Sequence, residues 1–101
     1  AGSVPLDLSK YGIDFFAFTG HKAMLGPQGT GGVIFKTGKE PVRPLIRGGT
    51  GSHSEYEEQP MFLPDYFESG TPNGVGMAGL AAGIRAVEAK GVEAIRAHEK
   101  R

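Results

Sequence analysis

Phe15-Phe16-Ala17-Phe18 opens a stretch that continues as Thr19-Gly20-His21-Lys22 and then, three residues on, as Gly26-Pro27-Gln28-Gly29-Thr30-Gly31-Gly32. Four consecutive apolar residues, three of them aromatic, read as a short buried strand. The strand runs out into a hydroxyl, a glycine, an imidazole and an amine. The loop beyond holds four glycines and a proline within seven residues, and a second apolar run, Val33-Ile34-Phe35, follows it. Two strands joined across a glycine loop predict an antiparallel pair, residues 15–18 against 32–36, with Lys22 at the turn. A lysine at the lip of a buried strand is placed to do chemistry. Desolvation eases the loss of its proton, and the neutral amine can form a Schiff base with an aldehyde. Thr19 and His21 flank it with groups able to hold a phosphate. For a His-Lys pair alone, a solvated turn lysine is the plainer account, so the wider pattern has to decide.

Upstream, residues 4–14 read as a connector, in which Pro5-Leu6-Asp7-Leu8 favours extended structure and Leu8, Tyr11 and Ile13 offer apolar contacts. Downstream, Gly32-Val33-Ile34-Phe35-Lys36-Thr37-Gly38-Lys39-Glu40 has the outline of a phosphate-binding P-loop. Its spacing is one residue too long and Glu40 stands where serine or threonine belongs, so nucleotide binding is rejected there. Residues 37–44 read as a polar surface turn, and Leu45-Ile46 as a short strand entering Arg47-Gly48-Gly49-Thr50-Gly51-Ser52. Residues 52–64 show no periodicity and form a long loop, of a length that is usually functional or disordered in a compact fold. His53 with Glu55, Glu57 and Glu58 reads as a solvated charge cluster, because no second histidine or helical spacing supports a metal site.

Phe67-Glu68-Ser69-Gly70-Thr71-Pro72-Asn73 leads into a helix with Asn73 as N-cap. Val75, Leu80, Ile84 and Val87 follow helical spacing, and Met77 and Ala81 fill the stripe. Gly74, Gly76, Gly79 and Gly83 are poor helix formers, and close packing against another backbone is the compensation expected of them. Lys90-Gly91 caps this helix and Val92 begins the next. The chain closes on a helical pattern without a stop signal and opens without methionine, which favours an excised fragment.

At 101 residues the chain allows one small domain. Its 17 glycines and 7 prolines against a 39% hydrophobic share make a thin core with a heavy load of backbone entropy, so stable folding alone is not expected. Formal charge is zero, with 11 acidic and 11 basic residues and no basic patch interleaved with aromatics. Nucleic acid is therefore excluded as a partner. No run approaches the ~20 apolar residues that span a bilayer, and no signal peptide is evident. The absence of cysteine excludes a disulfide framework and a cysteine-ligated metal, and leans towards the cytoplasm.

The run Thr-Gly-His-Lys-x-x-x-Gly-Pro-x-Gly-x-Gly after an apolar strand resembles the cofactor-lysine segment of class V pyridoxal-phosphate enzymes, above all cysteine desulfurases and selenocysteine lyases. Gly48-Gly49-Thr50-Gly51-Ser52 and Phe67-Glu68-Ser69-Gly70-Thr71-Pro72-Asn73 resemble two further segments of that family, in the same order. The resemblance implies an α/β fold of type I, with residues 1–101 as a partial large domain truncated at both ends. It implies pyridoxal 5'-phosphate as cofactor, Lys22 as the lysine that holds it as a Schiff base and then shuttles protons, and Thr19 and His21 as hydrogen-bond donors to its phosphate. It further implies that Thr71 reaches the phosphate in the neighbouring subunit of a homodimer, with Thr50 lining the same entrance. The implied substrate is cysteine or selenocysteine, with a possible sulfur-acceptor protein as partner. The ring-binding aspartate of the family is expected before Ala1, and the acceptor cysteine and substrate-binding arginine after Arg101. Another class V reaction (aminotransferase, epimerase or kynureninase-like) and a non-catalytic structural module are the alternatives.

Overall fold

The structure, a computed structural model, describes residues 1–36 and 42–101. The chain divides into two compact units, Ala1–Lys39 with Gly74–Arg101, and Glu40–Asn73. Strands and helices are mixed in the first unit, as the α/β reading expects. The polar turn read at residues 37–44 lies in part, at 37–41, outside the described residues, as does the end of the rejected P-loop.

In the first unit, Asp7 caps a single 3-10 turn, Leu8–Lys10, where the reading expected extended chain. Its carboxylate accepts from the Ser9 backbone N–H at 3.0 Å and from the Ser9 hydroxyl at 2.6 Å. These local bonds outcompete an extended backbone. Strands β1, Phe15–Thr19, and β2, Gly31–Phe35, then pair antiparallel with Phe15 opposite Phe35 and Thr19 opposite Gly31. The Phe15 and Phe35 rings meet with centroids 6.1 Å apart. Backbone bonds from Lys36 N–H to the Asp14 carbonyl (2.9 Å) and from Gly20 N–H to the Thr30 carbonyl (2.8 Å) extend the ladder at both ends.

The expected burial of β1 is corrected. Phe16 and Phe18 are half-buried, but Phe15, Ala17 and Thr19 on the alternate face are exposed. A sheet of two strands has a single ladder, and among the described residues nothing covers one face of it.

Helix α1, Gly74–Lys90, starts directly after Asn73 and ends at Gly91, whose φ of 82° suits a glycine stop. Helix α2, Val92–Glu99, follows at once. The buried positions of α1 are Gly76, Leu80, Gly83 and Val87. Val75 and Met77, read as part of the apolar stripe, are 88% and 52% exposed. The stripe that packs combines Leu80 and Val87, both read in the apolar stripe, with glycines, of which Gly83 receives loop backbone. A Cβ on Gly79 would lie 2.6 Å from Pro27 Cγ, and one on Gly83 would lie 2.7 Å from the Leu25 carbonyl carbon. The packing against backbone expected of these glycines is thus observed at Gly83, whereas Gly79 meets the side-chain ring of Pro27. Among the described residues, the buried hydrophobic side chains are Leu80 and Val87.

In the second unit, Leu45-Ile46 is a bend, 96% and 69% exposed, and not a strand. Pro44 immediately before it lacks the N–H that a ladder needs. Residues 52–64 form the long loop expected, with no helix or strand. His53 packs its ring against Tyr56 and Phe62, both with centroids at 5.4 Å. Among the described residues no group of three or more potential ligands is placed to hold a metal ion. None of their helices is long and apolar enough to cross a membrane.

Candidate functional site

Thr19 is the last residue of β1, and His21 and Lys22 follow in the bend beyond it; all three are exposed. The backbone of this bend is tied at a neck. Gly20 donates its N–H to Thr30 and accepts at its carbonyl from Gly26 N–H, both at 2.8 Å. Residues 21–25 therefore project as a closed protrusion, within which Leu25 N–H bonds the Lys22 carbonyl at 2.9 Å. Only glycine fits the neck, since a Cβ on Gly20 would lie 2.9 Å from the Thr30 carbonyl carbon and oxygen. The Thr30 hydroxyl donates to the Pro27 carbonyl at 2.5 Å and locks the far side of the loop.

Below the protrusion lies α1. Gly26, Pro27 and Leu25 rest on Leu80, Gly79 and Gly83 respectively. At the other flank Gly2, buried with φ 91°, sits directly against the Ala23 carbonyl. Leu25 itself is held at φ 58°, a left-handed conformation that a branched side chain rarely takes. A cavity of about 240 Å3 separates Ala23 and Leu25 from Val87, Ile95 and His98 of the helices. The outcome is an amine presented outward on a loop whose backbone is fixed from three sides. Burial does not surround this lysine, so the lip-of-a-buried-strand argument for desolvating it is corrected for this chain.

Thr50 and Thr71 lie in the second unit, on two glycine turns that touch. Gly70 N–H bonds the Gly48 carbonyl at 2.9 Å, and Gly48, Gly49, Gly51 and Gly70 all have positive φ. Thr50 is buried, at 7% exposure, with its hydroxyl 3.2 Å from the Ser52 hydroxyl; Ser52 in turn donates to the Asp65 carboxylate. Thr71 is exposed. Thus Thr19, His21 and Lys22 share one turn in the first unit, and the turns bearing Thr50 and Thr71 are joined in the second.

Sequence reasoning passed over Gln59, which sits among these turns with four partners. A lone amide in an aperiodic loop carries no spacing signal that could single it out. It also passed over Leu25, because a strained backbone angle leaves no mark on residue type here.

The aminotransferase class-V family model matches residues 1–101. The chain is 41% identical to a probable cysteine desulfurase of Pyrococcus abyssi, over 99% of this chain and 26% of that protein. It is 39% identical to probable cysteine desulfurase 2 of Mycobacterium leprae, over 95% of this chain and 23% of that protein. Against a probable cysteine desulfurase of Methanothermobacter thermautotrophicus the identity is 38%, over 96% of this chain and 25% of that protein. The chain thus spans about a quarter of the length of these curated relatives. No solved structure matches it. With a family match along its full length and a strand–glycine turn–strand hairpin carrying Thr19, His21 and Lys22, the chain belongs to the aminotransferase class-V family.

Proposed function

We propose that this chain supplies the cofactor lysine and part of the phosphate grip of a pyridoxal-phosphate cysteine desulfurase of fold type I, acting as a homodimer. The observation that carries the reading is the Lys22 protrusion: an accessible primary amine on a backbone fixed by Gly20, Gly26 and Gly83, next to a hydroxyl and an imidazole. The names of the curated relatives support the substrate.

The residues present fit the cofactor. An aldehyde needs an accessible amine, and Lys22 is exposed. A phosphate dianion needs hydroxyl and N–H donors, and Thr19 and His21 stand beside Lys22 on the same turn. Pyridoxal phosphate, when bound, supplies an electron sink for the electrons freed at the amino acid's α-carbon. Lys22 Nζ would hold the cofactor's aldehyde and, once free, would move a proton at the substrate's α-carbon. Thr19 Oγ1 and the His21 ring would hold the phosphate. The fixed loop backbone sets where the Lys22 stem begins, and that is the backbone's share in positioning the amine. Thr71 serves the phosphate of the partner subunit's site, and Thr50, on the adjoining turn, lines the same entrance.

Borohydride reduction of the holoprotein followed by peptide mapping tests this. The phosphopyridoxyl group is expected on Lys22; its recovery on Lys36 or Lys39 instead would overturn the assignment. Formation of alanine from L-cysteine, with the transferred sulfur freed as sulfide by an added thiol reductant such as dithiothreitol, separates a desulfurase from other class V reactions.

A further inference from the structure

In the second unit one side chain ties together the two turns that carry Thr50 and Thr71. The Gln59 carbonyl oxygen accepts from Gly48 N–H at 3.1 Å. Its amide nitrogen donates to the Asp65 carbonyl at 2.8 Å and the Glu68 carbonyl at 3.2 Å, with Tyr66 at 3.4 Å as a longer, shared acceptor. Both N–H protons of the amide and one lone pair of its oxygen are engaged with backbone. The orientation is unambiguous, because the opposite one would set the side-chain oxygen against three carbonyls. Gly48 begins the turn to Thr50, and Glu68 lies three residues before Thr71. The direct Gly70–Gly48 bond runs parallel to this bridge. Asp65, whose carbonyl takes the shortest Gln59 bond, also accepts the Ser52 hydroxyl, and Ser52 touches Thr50.

We infer that Gln59 is a positioning residue that fixes the Gly48–Thr50 and Glu68–Thr71 turns relative to each other so that Thr71 can serve the cofactor phosphate. This rests on the proposed phosphate role of Thr71. All the partners of Gln59 are backbone groups in or just before these turns, so it acts through the turns and not by touching the ligand. Glycines on both turns leave their backbones many conformations, and Gln59 adds its bonds to the single direct Gly70–Gly48 bond in setting their spacing.

The test uses the full-length protein freed of cofactor and titrated with pyridoxal 5'-phosphate and with pyridoxal, which lacks the phosphate. The ratio of the two affinities reads the phosphate grip alone. Gln59→Ala is expected to lower that ratio about tenfold while leaving pyridoxal affinity unchanged. Gln59→Glu, of the same shape but with no N–H to offer three carbonyls, is expected to do at least as much. It also stands in if the alanine variant fails to fold. Because Gln59 acts through Thr71, adding Gln59→Ala to Thr71→Ala should lower the ratio by no more than about twofold. An unchanged ratio in the Gln59 variants beside a lowered one in Thr71→Ala overturns the inference and leaves the proposed function standing. A ratio unchanged in Thr71→Ala as well removes the phosphate role on which both rest. Equal losses for pyridoxal and its phosphate would reduce Gln59 to a general fold support and overturn the inference.

Discussion

Gly83 of α1 lies so close beneath Leu25 that a methyl group built on it would sit 2.7 Å from the Leu25 carbonyl carbon. Backbone thus rests on backbone at the point where the helix carries the lysine loop. The loop's position therefore depends on the absence of a side chain.

Alanine substitution along α1 separates two opposing effects. Alanine gains about 1 kcal/mol of helix propensity over glycine, whereas an overpacked contact costs about 1–3 kcal/mol. At Gly83 the obstacle is loop backbone, which cannot swing aside, so Gly83→Ala is expected to destabilise the protein. At Gly79 the obstacle is the Pro27 ring, and the cost should be smaller. At Gly74 nothing lies within 4 Å, and Gly74→Ala should be neutral or stabilising. Denaturant midpoints of the three variants in the full-length protein should fall in that order. A Gly83→Ala variant as stable as Gly74→Ala would show that the loop is free to lift.

Leu25 offers a complementary measurement. A non-glycine residue at φ 58° carries about 1–2 kcal/mol of strain, and the side chain is 63% exposed, so little burial offsets it. Leu25→Gly relieves the strain but adds unfolded-state entropy worth about 0.4–1 kcal/mol. The expected net effect is neutral to mildly stabilising. Leu25→Val, branched at Cβ, should destabilise. Reversal of that order in thermal unfolding would mean that Leu25 is held by its side-chain contacts.

How much of this was legible beforehand follows from the range of each interaction. The hairpin was readable because Phe15-Phe16-Ala17-Phe18 and Val33-Ile34-Phe35 flank glycines, a purely local pattern. The Gly91 stop between the helices was readable for the same reason. Burial was legible in part: Leu80 and Val87 of the apolar stripe are covered, but Val75 and Met77 are not. Gly83 is covered as well, because its partner is the backbone of Met24 and Leu25, a loop far away along the chain whose closeness no local period encodes. Leu45-Ile46 looked like a strand by composition, but a strand exists only with a partner, and composition names none. In the candidate site, the side chains with known chemistry stood out by type. The groups that hold their backbone, Gly20, Gly83 and Gln59, work through distances that only the folded chain displays.

Asp7 supplies a pH test of the connector. The Ser9 hydroxyl first, then the Ser9 N–H, with Lys10 adding its charge 3.6 Å away, hold its carboxyl below the ordinary carboxylate range. A carboxyl depressed on folding stabilises the fold above its unfolded pKa, and that contribution is lost as pH falls through the lower, folded value. Asp7→Ala should therefore unfold more readily than the native sequence at neutral pH, and the gap should close in acid, below the ordinary value of about 3.9. Asp7→Asn keeps an acceptor for Ser9 and should narrow the gap at neutral pH. A gap independent of pH would assign the effect to the turn backbone alone.

The sharing of Thr71 between subunits can be tested without any assay of turnover. Consider mixed dimers with Lys22→Ala in one chain and Thr71→Ala in the other. In such a dimer only one site retains an amine that borohydride can fix to the cofactor, the site in the Thr71→Ala chain. If Thr71 serves the partner's phosphate, that site draws an intact Thr71 from the Lys22→Ala chain and binds pyridoxal phosphate as tightly as wild type. If Thr71 serves its own chain, the same site lacks the hydroxyl and binds as weakly as the Thr71→Ala homodimer, about tenfold below wild type for one charge-assisted hydrogen bond. The two arrangements differ in the affinity of a single population, the cofactor that can be fixed. Titrating separately tagged, purified mixed dimers and counting phosphopyridoxyl-Lys22 at each concentration therefore distinguishes them. Wild-type affinity is the expected result. Affinity matching the Thr71→Ala homodimer would place Thr71 at its own chain's site, and wild-type affinity in that homodimer itself would leave Thr71 as a turn residue with no hold on the phosphate.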